Sequence, residues 1–137
     1  MKTSQIMSKP VIHVSPGSSV LYAAELMRDA NIGILPVLES GHAVGVLTDR
    51  DIVVRLPPGQ GYSDLTVRAV MTKHIYICHD TDSVENAAGI MGDLQIRRLL
   101  VLDRAERLVG VLSVGDIAND ASERIAGEVL GEIVETR

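Results

Sequence analysis

Two short motifs place a hydroxyl and a carboxylate three residues apart, each where an apolar run ends. The first is Thr48-x-x-Asp51 and the second is Ser113-x-x-Asp116. This spacing is typical of a helix start, where the two side chains cap free backbone N–H groups. The same groups can bind a nucleotide, because the hydroxyl and the N–H groups can face a phosphate while the carboxylate accepts from ribose hydroxyls. The two interpretations are compatible, since one hydroxyl can cap a helix and also contact a ligand.

Arg97 and Arg98 are adjacent at the start of another apolar run. A buried guanidinium without a partner is costly, so the pair needs an explanation. One interpretation is that both side chains reach the surface and pair with Asp or Glu. The other is phosphate binding, for which the fork of N–H donors on a guanidinium is well suited. The sequence leaves both open.

The remaining reactive side chains predict neither catalysis nor a metal site. The single cysteine, Cys78, lies in an apolar run, and the adjacent His79 would project to the opposite face of a strand. We therefore expect Cys78 to be a buried small residue. The other histidines (His13, His42, His74) complete no recognisable zinc spacing, and the chain has neither a Walker A loop nor a Gly-x-Gly-x-x-Gly motif. We expect a protein that is not an enzyme.

Composition excludes several classes of partner. The 137 residues carry a net charge of -5, which argues against binding duplex nucleic acid. Aromatic residues make up 2%, with no Phe or Trp, so platforms for stacking single-stranded bases are scarce. No run approaches the 18 apolar residues of a membrane helix, and the start has no signal pattern. We expect a cytoplasmic protein without a nucleic-acid or membrane partner.

The chain is built from two copies of one unit. A shift of 64 residues superimposes a set of small and aliphatic residues: Val20, Ala23, Ala24 and Met27 recur as Val84, Ala87, Ala88 and Met91. After one inserted residue the shift becomes 65, and Gly45-Val46-Leu47 matches Gly110-Val111-Leu112. A repeat of this length predicts two copies of one supersecondary unit. The clearest difference between the copies is that Arg97-Arg98 corresponds to the uncharged Gly33-Ile34.

Hydrophobic periodicity predicts an α/β unit with the order strand, helix, strand, strand, helix, present twice. The predicted strands are Val11–Val14, Ile34–Leu38 and Val44–Leu47, then Ile75–Cys78, Arg98–Leu102 and Leu108–Leu112. The closing helices begin near Thr48 and Ser113, and after Asp116 one helical pattern continues to about Glu135. The stretch Pro57–Gly61 is the expected link, so we expect repeats at 1–61 and 62–137. One copy has too small a core to stand alone, which favours pairing of the two.

The ordered set of motifs resembles a tandem pair of CBS domains, the cystathionine-β-synthase-type repeat, in its stand-alone form (a Bateman module). The resemblance rests on Ile34-Leu35-Pro36-Val37 with Gly45–Ile52, and on Arg97–Val101 with Gly110–Ile117. It covers nearly the whole chain. Leu100 departs from the family, which usually has Pro there. The resemblance implies two repeats related by a pseudo-twofold axis that bind an adenine nucleotide or another adenosyl compound in the cleft between them.

The resemblance also implies two unequal sites. In such pairs, basic residues at the strand position of Arg97 face the phosphates of the site whose ribose-binding Asp comes from the other repeat. Carried over by position, the favoured site comprises Thr48, Asp51, Tyr76, Ile96, Arg97 and Arg98. The second comprises Ile12, Ile32, Gly33, Ser113 and Asp116 and has no cation for a phosphate.

These expectations combine into a hypothesis of function. The chain is expected to be a non-catalytic regulatory module that binds AMP, ADP or ATP, with or without Mg²⁺, and signals to an unidentified effector protein by a conformational change. One alternative is a dimerisation or interaction module that needs no ligand. Another is a binder of a different adenosyl ligand, NAD(H) or S-adenosylmethionine. The resemblance also implies a homodimer.

Overall fold

The structure is a computed structural model that describes residues 1–134. It contains a short 3₁₀ turn at Thr3–Gln5, six helices and five strands. In chain order the elements are α1 (Val20–Ala30), β1 (Ile34–Glu39), β2 (His42–Thr48), α2 (Asp49–Arg55), α3 (Val67–Val70), β3 (Ile77–His79), α4 (Val84–Leu94), β4 (Arg98–Leu102), β5 (Leu108–Ser113), α5 (Val114–Asp120) and α6 (Glu123–Val134). The mixed α/β class and the tandem repeat predicted from the sequence are confirmed.

The chain divides into two compact units with separate cores. The first unit is Ile12–Ile75, and the second joins Met1–Val11 to Tyr76–Arg137. In the first unit β1 and β2 form an antiparallel pair, with Leu35 opposite Leu47. Both leucines are fully buried with Val20, Ala23 and other aliphatic residues. This aliphatic core is what a chain with almost no aromatic residues must use.

The second unit repeats the first helix, the antiparallel strand pair and the following short helix as α4, β4, β5 and α5, and it adds β3 to make a three-stranded sheet. Its strand order is β3-β4-β5, with β3 and β4 parallel and β4 and β5 antiparallel. Leu99 lies opposite Leu112, as Leu35 lies opposite Leu47 in the first unit. Helix α6 adds Ala126, Val129 and Ile133 to the core of this unit.

Helices α1 and α4 occupy the same place in the two units, and they begin and end alike. Ser19 and Ser83 are the N-caps of α1 and α4, and each side chain accepts a backbone N–H three residues on. Asn31 and Gln95 end these helices in the left-handed conformation, with φ of 54° and 58°. A left-handed residue at this point reverses the chain, so that β1 and β4 can return across their helices.

The two compact units exchange segments relative to the sequence repeats expected at 1–61 and 62–137, whose boundaries stay a prediction. Residues 62–75 pack on the first unit, where Val67 and Val70 of α3 enter its core and Thr72 pairs with Val46. The N-terminal residues instead pack on the second unit, where Ser8 pairs with Val111. Each unit is therefore completed by the segment that precedes the other repeat in sequence.

Two predicted elements are wrong. The predicted strand Val11–Val14 is reduced to a single parallel bridge between Val14 and Val37. Only Val14 of this segment is buried, and its bridge is the only pairing that the segment makes among the described residues. The predicted continuous helix after Asp116 is interrupted: α5 ends at Asp120, and Ser122 starts α6 by accepting the N–H of Ile125. Its expected end at Glu135 lies outside the described residues.

Candidate ligand site

In the first unit the Thr48-x-x-Asp51 motif forms a closed capping box. The Thr48 hydroxyl accepts the N–H of Asp51 at 3.0 Å, and the Asp51 carboxylate accepts the N–H of Thr48 at 3.0 Å. The Thr72 hydroxyl also donates to this carboxylate, at 3.1 and 3.2 Å from its two oxygens. Only 9% of Asp51 is exposed. Its carboxylate is thus already bonded from two directions within its own unit.

The Ser113-x-x-Asp116 motif repeats this arrangement more openly. The Ser113 hydroxyl accepts the N–H of Asp116 at 3.0 Å, and the Asp116 carboxylate accepts the N–H of Ser113 at 2.9 Å. Its second oxygen lies 3.4 Å from the hydroxyl of Ser8, a longer contact than those of Thr72 with Asp51. Asp116 is half-buried. It therefore keeps more capacity to accept a hydrogen bond from a ligand than Asp51 does.

Each motif lies beside the residues that precede the first long strand of its own unit. The carbonyl of Gly33 accepts the N–H of Asp49, and the carbonyl of Arg97 accepts the N–H of Val114, both at 3.0 Å. Arg98 lies directly opposite Ser113 in the β4–β5 pair. Within one unit, Arg97 and Arg98 are therefore neighbours of the Ser113 motif.

A pocket of about 330 Å³ is open between these residues and α6. Its lining combines two guanidinium groups and a hydroxyl with small and aliphatic side chains: Arg97, Arg98, Ser113, Val114, Gly115, Ala118 and Leu130. Both arginines are exposed, and within residues 1–134 neither belongs to an ion pair. Both side chains thus reach the surface, but the Asp or Glu partners that the first interpretation required are not found in the described part of the chain.

The other predicted site residues lie at the ends of strands and helices. Ile32 and Ile96 follow the left-handed residues that end α1 and α4, and their N–H groups bond back to Met27 and Met91. Ile12 and Tyr76, at 39% and 38% exposure, precede the segments that pair with β1 and β4. The predicted grouping of Arg97 and Arg98 with Asp51, and of Gly33 with Asp116, joins residues of different units and stays a prediction.

The environment of Cys78 makes it a poor nucleophile. Cys78 is buried, as predicted, and burial together with the charge of Asp82 raises the pKa of its thiol to about 12. A thiol with such a pKa stays protonated at neutral pH and is a poor nucleophile. Over residues 1–134, no three His, Cys, Asp or Glu side chains are grouped so that they could hold a metal ion. Among the same residues, no helix combines the length and apolarity that crossing a bilayer requires.

Sequence reasoning missed three residues of this region. Ser8 and Thr72 bond the two motif carboxylates, and they are related by the same shift of 64 that relates the repeats. The matching positions of Ser8 and Thr72 in the two copies could therefore have been recognised in the sequence. Leu130 gave no signal, because α6 has no counterpart in the first repeat.

Known proteins resemble the chain over most of its length. The family model for the CBS domain matches residues 4–57 and 67–123. The CBS domain-containing protein YhcV of Bacillus subtilis is 38% identical over 128 residues, which cover 93% of this chain and 91% of that protein.

Two solved structures of similar proteins contain adenosyl compounds. The CBS domain pair of protein MJ0100, in complex with 5'-methylthioadenosine and S-adenosyl-L-methionine, has a TM-score of 0.77 and 27% identity, and the match covers 90% of this chain and 98% of that one. CBSX2 in complex with AMP has a TM-score of 0.76 and 25% identity, covering 90% and 97%. With two family matches that coincide with the two copies of the repeat, the chain belongs to the CBS domain family and is a tandem pair of CBS domains.

Proposed function

We propose that this chain is a regulatory module that binds an adenine nucleotide and passes its occupancy to an effector protein. The observation that carries the proposal is the pocket in which Arg97 and Arg98, without ion-pair partners among residues 1–134, lie beside the Ser113 hydroxyl. Two guanidinium groups held next to each other favour an anion, and their planar N–H donors fit phosphate oxygens.

The rest of the pocket suits a nucleoside. Val114, Ala118 and Leu130 supply apolar surface on which a base or ribose ring can pack. A volume of about 330 Å³ lies at the small end of the range for ligand pockets, roughly 300–1,000 Å³. Support also comes from the similar proteins, one in complex with AMP and another with two adenosyl compounds. Mg²⁺ would accompany only a polyphosphate.

Asp116 borders this pocket in sequence, between the lining residues Gly115 and Ala118, and is our candidate for the ribose acceptor. It follows Ser113 on the same helix turn, and one of its oxygens makes only the 3.4 Å contact with Ser8. The grouping inferred from the sequence instead assigns this role to Asp51, which Thr72 already bonds. Comparing Asp116→Asn with Asp51→Asn separates the two assignments, because only the variant of the true acceptor should lose affinity.

Thermal-shift and calorimetric titration with AMP, ADP, ATP, adenosine, NAD and S-adenosylmethionine tests the proposal. A ligand present at 100 times its Kd should raise the unfolding free energy by about 2.7 kcal/mol. Losing one charged hydrogen bond costs about 1.5–3 kcal/mol, so Arg97→Ala and Arg98→Ala should each weaken AMP binding about 10- to 100-fold. Arg104→Ala is the matched control, an exposed arginine of the same unit outside this pocket.

The outcomes separate the ligand classes. Adenosine should bind more weakly than AMP and should not respond to the arginine variants, since it carries no phosphate. If S-adenosylmethionine or NAD binds more tightly than AMP, the ligand of this module is another adenosyl compound and not an adenine nucleotide. A wild-type protein that shows no shift with any of these compounds at millimolar concentration would overturn the proposal. We also propose that the chain is not an enzyme, so nucleotides should be recovered unchanged.

A ligand-independent interaction module is the second candidate, favoured by two observations. Both capping boxes are satisfied without a ligand, so the motifs alone do not require one. Val53 and Val54 on α2 are 77% and 66% exposed, which is unusual for adjacent aliphatic residues and favours association, as in a homodimer. Light scattering of wild type and Val53→Glu tests this candidate, with Arg50→Glu as the control on the same helix. Loss of a dimer in Val53→Glu alone, with no ligand response, would favour it.

A further inference from the structure

Helix α6 follows α5 in the second unit, and no helix of the first unit (Ile12–Ile75) corresponds to it. It spans 12 residues, Glu123–Val134, and packs against α4 and α5. Ala126, Val129 and Ile133 form its buried stripe. A helix that belongs to only one unit is not needed to form the shared fold, so its role has to be sought in what is special to that unit.

Leu130 is the residue of α6 that reaches the Arg97–Arg98 pocket. It is 40% exposed and lies among the pocket lining, whereas the buried stripe of α6 belongs to the core. The same pocket is lined by both guanidinium groups and the Ser113 hydroxyl. Docking of α6 thus completes the apolar wall of the pocket, and undocking would open it to solvent.

Two glycines weaken α6 without any packing reason. A Cβ built on Gly127 or Gly131 would meet no heavy atom of residues 1–134 within 4 Å, so alanine would fit at both positions. Gly92 of α4 differs, because a Cβ there would lie 2.5 Å from Oε2 of Glu132 on α6. Each interior glycine lowers the equilibrium constant for helix formation about fivefold relative to alanine. Helix α6 is therefore less stable than the same helix would be with alanine at these two positions.

The groove between α4 and α6 also contains an excess of negative charge. Glu85 lies on the α4 side, while Glu128 and Glu132 lie on the α6 side with Arg124, which pairs with Glu128 at 2.7 Å. Carboxylates of like charge on both sides of a groove oppose docking, although solvent screens the effect. This is a second, independent feature that reduces the stability of the docked helix.

We propose that α6 is a ligand-linked wall of the pocket, with Leu130 as the residue that contacts the bound adenosyl compound. The ligand favours the docked helix because only that state completes its binding surface. By linkage, anything that stabilises the docked helix tightens ligand binding. The inference rests on the proposed function and adds its regulation: an effector that binds or releases α6 senses whether the pocket is occupied.

Hydrogen exchange and titration of the full chain with the tightest binder among AMP, ADP, ATP and S-adenosylmethionine test this proposal. Amides of α6 should exchange at least tenfold faster than those of α4 without ligand, and the ligand should slow them severalfold. Gly127→Ala with Gly131→Ala should slow α6 exchange without ligand and lower the Kd about 3- to 10-fold. Asn86→Ala, which raises helix propensity at an exposed position of α4 outside this groove, should leave the Kd unchanged.

Leu130→Ala keeps the helix propensity of α6 but removes the contact, so it should raise the Kd about 5- to 20-fold. Leu130→Met should restore most of the affinity, and Val134→Ala, at an exposed apolar position of α6 outside the pocket, should have no effect. If wild type binds none of the compounds, the proposed function fails and this inference fails with it. If wild type binds, but the ligand does not protect α6 and Leu130→Ala binds normally, the inference alone is overturned.

Discussion

The two CBS units share their scaffold and differ in what surrounds the capping motif. In both, a hydroxyl and a carboxylate form a capping box at the start of a short helix. A second hydroxyl contacts the same carboxylate, and it comes from the segment that precedes the other repeat in sequence. In the first unit the neighbouring residues are Gly33 and Ile34 and the carboxylate is buried. In the second they are two arginines beside a pocket closed by an added helix. The shared residues make the fold, and the unshared ones carry the anion site that we propose.

The comparison predicts that shortening equivalent core residues of the two units lowers the free energy of unfolding by the same amount. Leu47 and Leu112 occupy matching positions, and both are 0% exposed. Leu→Ala at such a position removes apolar contacts and leaves a cavity, so each variant should lose about 2–5 kcal/mol of unfolding free energy. Urea unfolding followed by circular dichroism measures this, with the half-exposed Leu94→Ala as control. Losses that differ by more than about 2 kcal/mol would show that the two cores are not equivalent.

Matching glycines should respond differently, which sharpens the comparison. A Cβ at Gly45 would lie 2.6 Å from the backbone carbonyl of Thr72, whereas at Gly110 the nearest atoms belong to the side chain of Met7. A backbone strand cannot move aside as a methionine side chain can, so Gly45→Ala should cost about 1–3 kcal/mol and Gly110→Ala less. Thermal unfolding of the two variants tests the order. A larger loss in Gly110→Ala would contradict this explanation.

The repeat explains how much of this arrangement the sequence could predict. The strand Arg98–Leu102 was predicted with the bounds that the structure has, because β-branched and leucine residues are flanked there by polar ones. The capping role of both motifs is also local and was predicted. The packing of each segment on the unit of the other repeat was not predicted, since it depends on backbone pairs between distant residues such as Thr72 and Val46. The four-residue α3 is too short to show a helical period.

The same limit applies to the pocket. Arg97 and Arg98 were singled out because the other copy lacks them, but which motif they face depends on the pairing of β4 with β5. Arg98 lies opposite Ser113 only because of that register, which the sequence pattern does not specify at its ends. Leu130 depends on the break between α5 and α6, where Ser122 is the only local signal among the described residues.

A third prediction uses the repeat as its own control for Cys78. The equivalent residue in the first unit is Val14, and both are 2% exposed. Because the fold accommodates valine at this position once, Cys78→Val should change the unfolding free energy by less than about 1 kcal/mol. Cys78→Ser should cost more, since it buries a hydroxyl. Urea unfolding of both variants provides the measurement, and a cost of Cys78→Val above that of Cys78→Ser would break the correspondence.

The smallest predicted effect is a pH dependence confined to the second unit. His79 lies 3.1 Å from Glu106, whose hydrogen bond, followed by its charge and those of Asp82 and Asp80, raises the pKa of the imidazole above 6.5. A raised pKa means that the folded state binds the proton more tightly than the unfolded state does. The resulting stability is fully present below pH 6.5 and is lost as the pH rises through the folded pKa. Because the pair is exposed, the effect should be small.

The first unit has Ser15 at the position of His79, so this titration has no counterpart there. The Tm difference between wild type and His79→Gln should therefore be larger at pH 5.5 than at pH 8.5. Glu106→Gln should remove most of that pH dependence while keeping the histidine, because the amide carries no charge to favour the imidazolium and only the charges of Asp82 and Asp80 remain. A Tm difference that is equal at both pH values would contradict this prediction, because it would show that the contact of His79 with Glu106 adds no pH-dependent stability to the second unit.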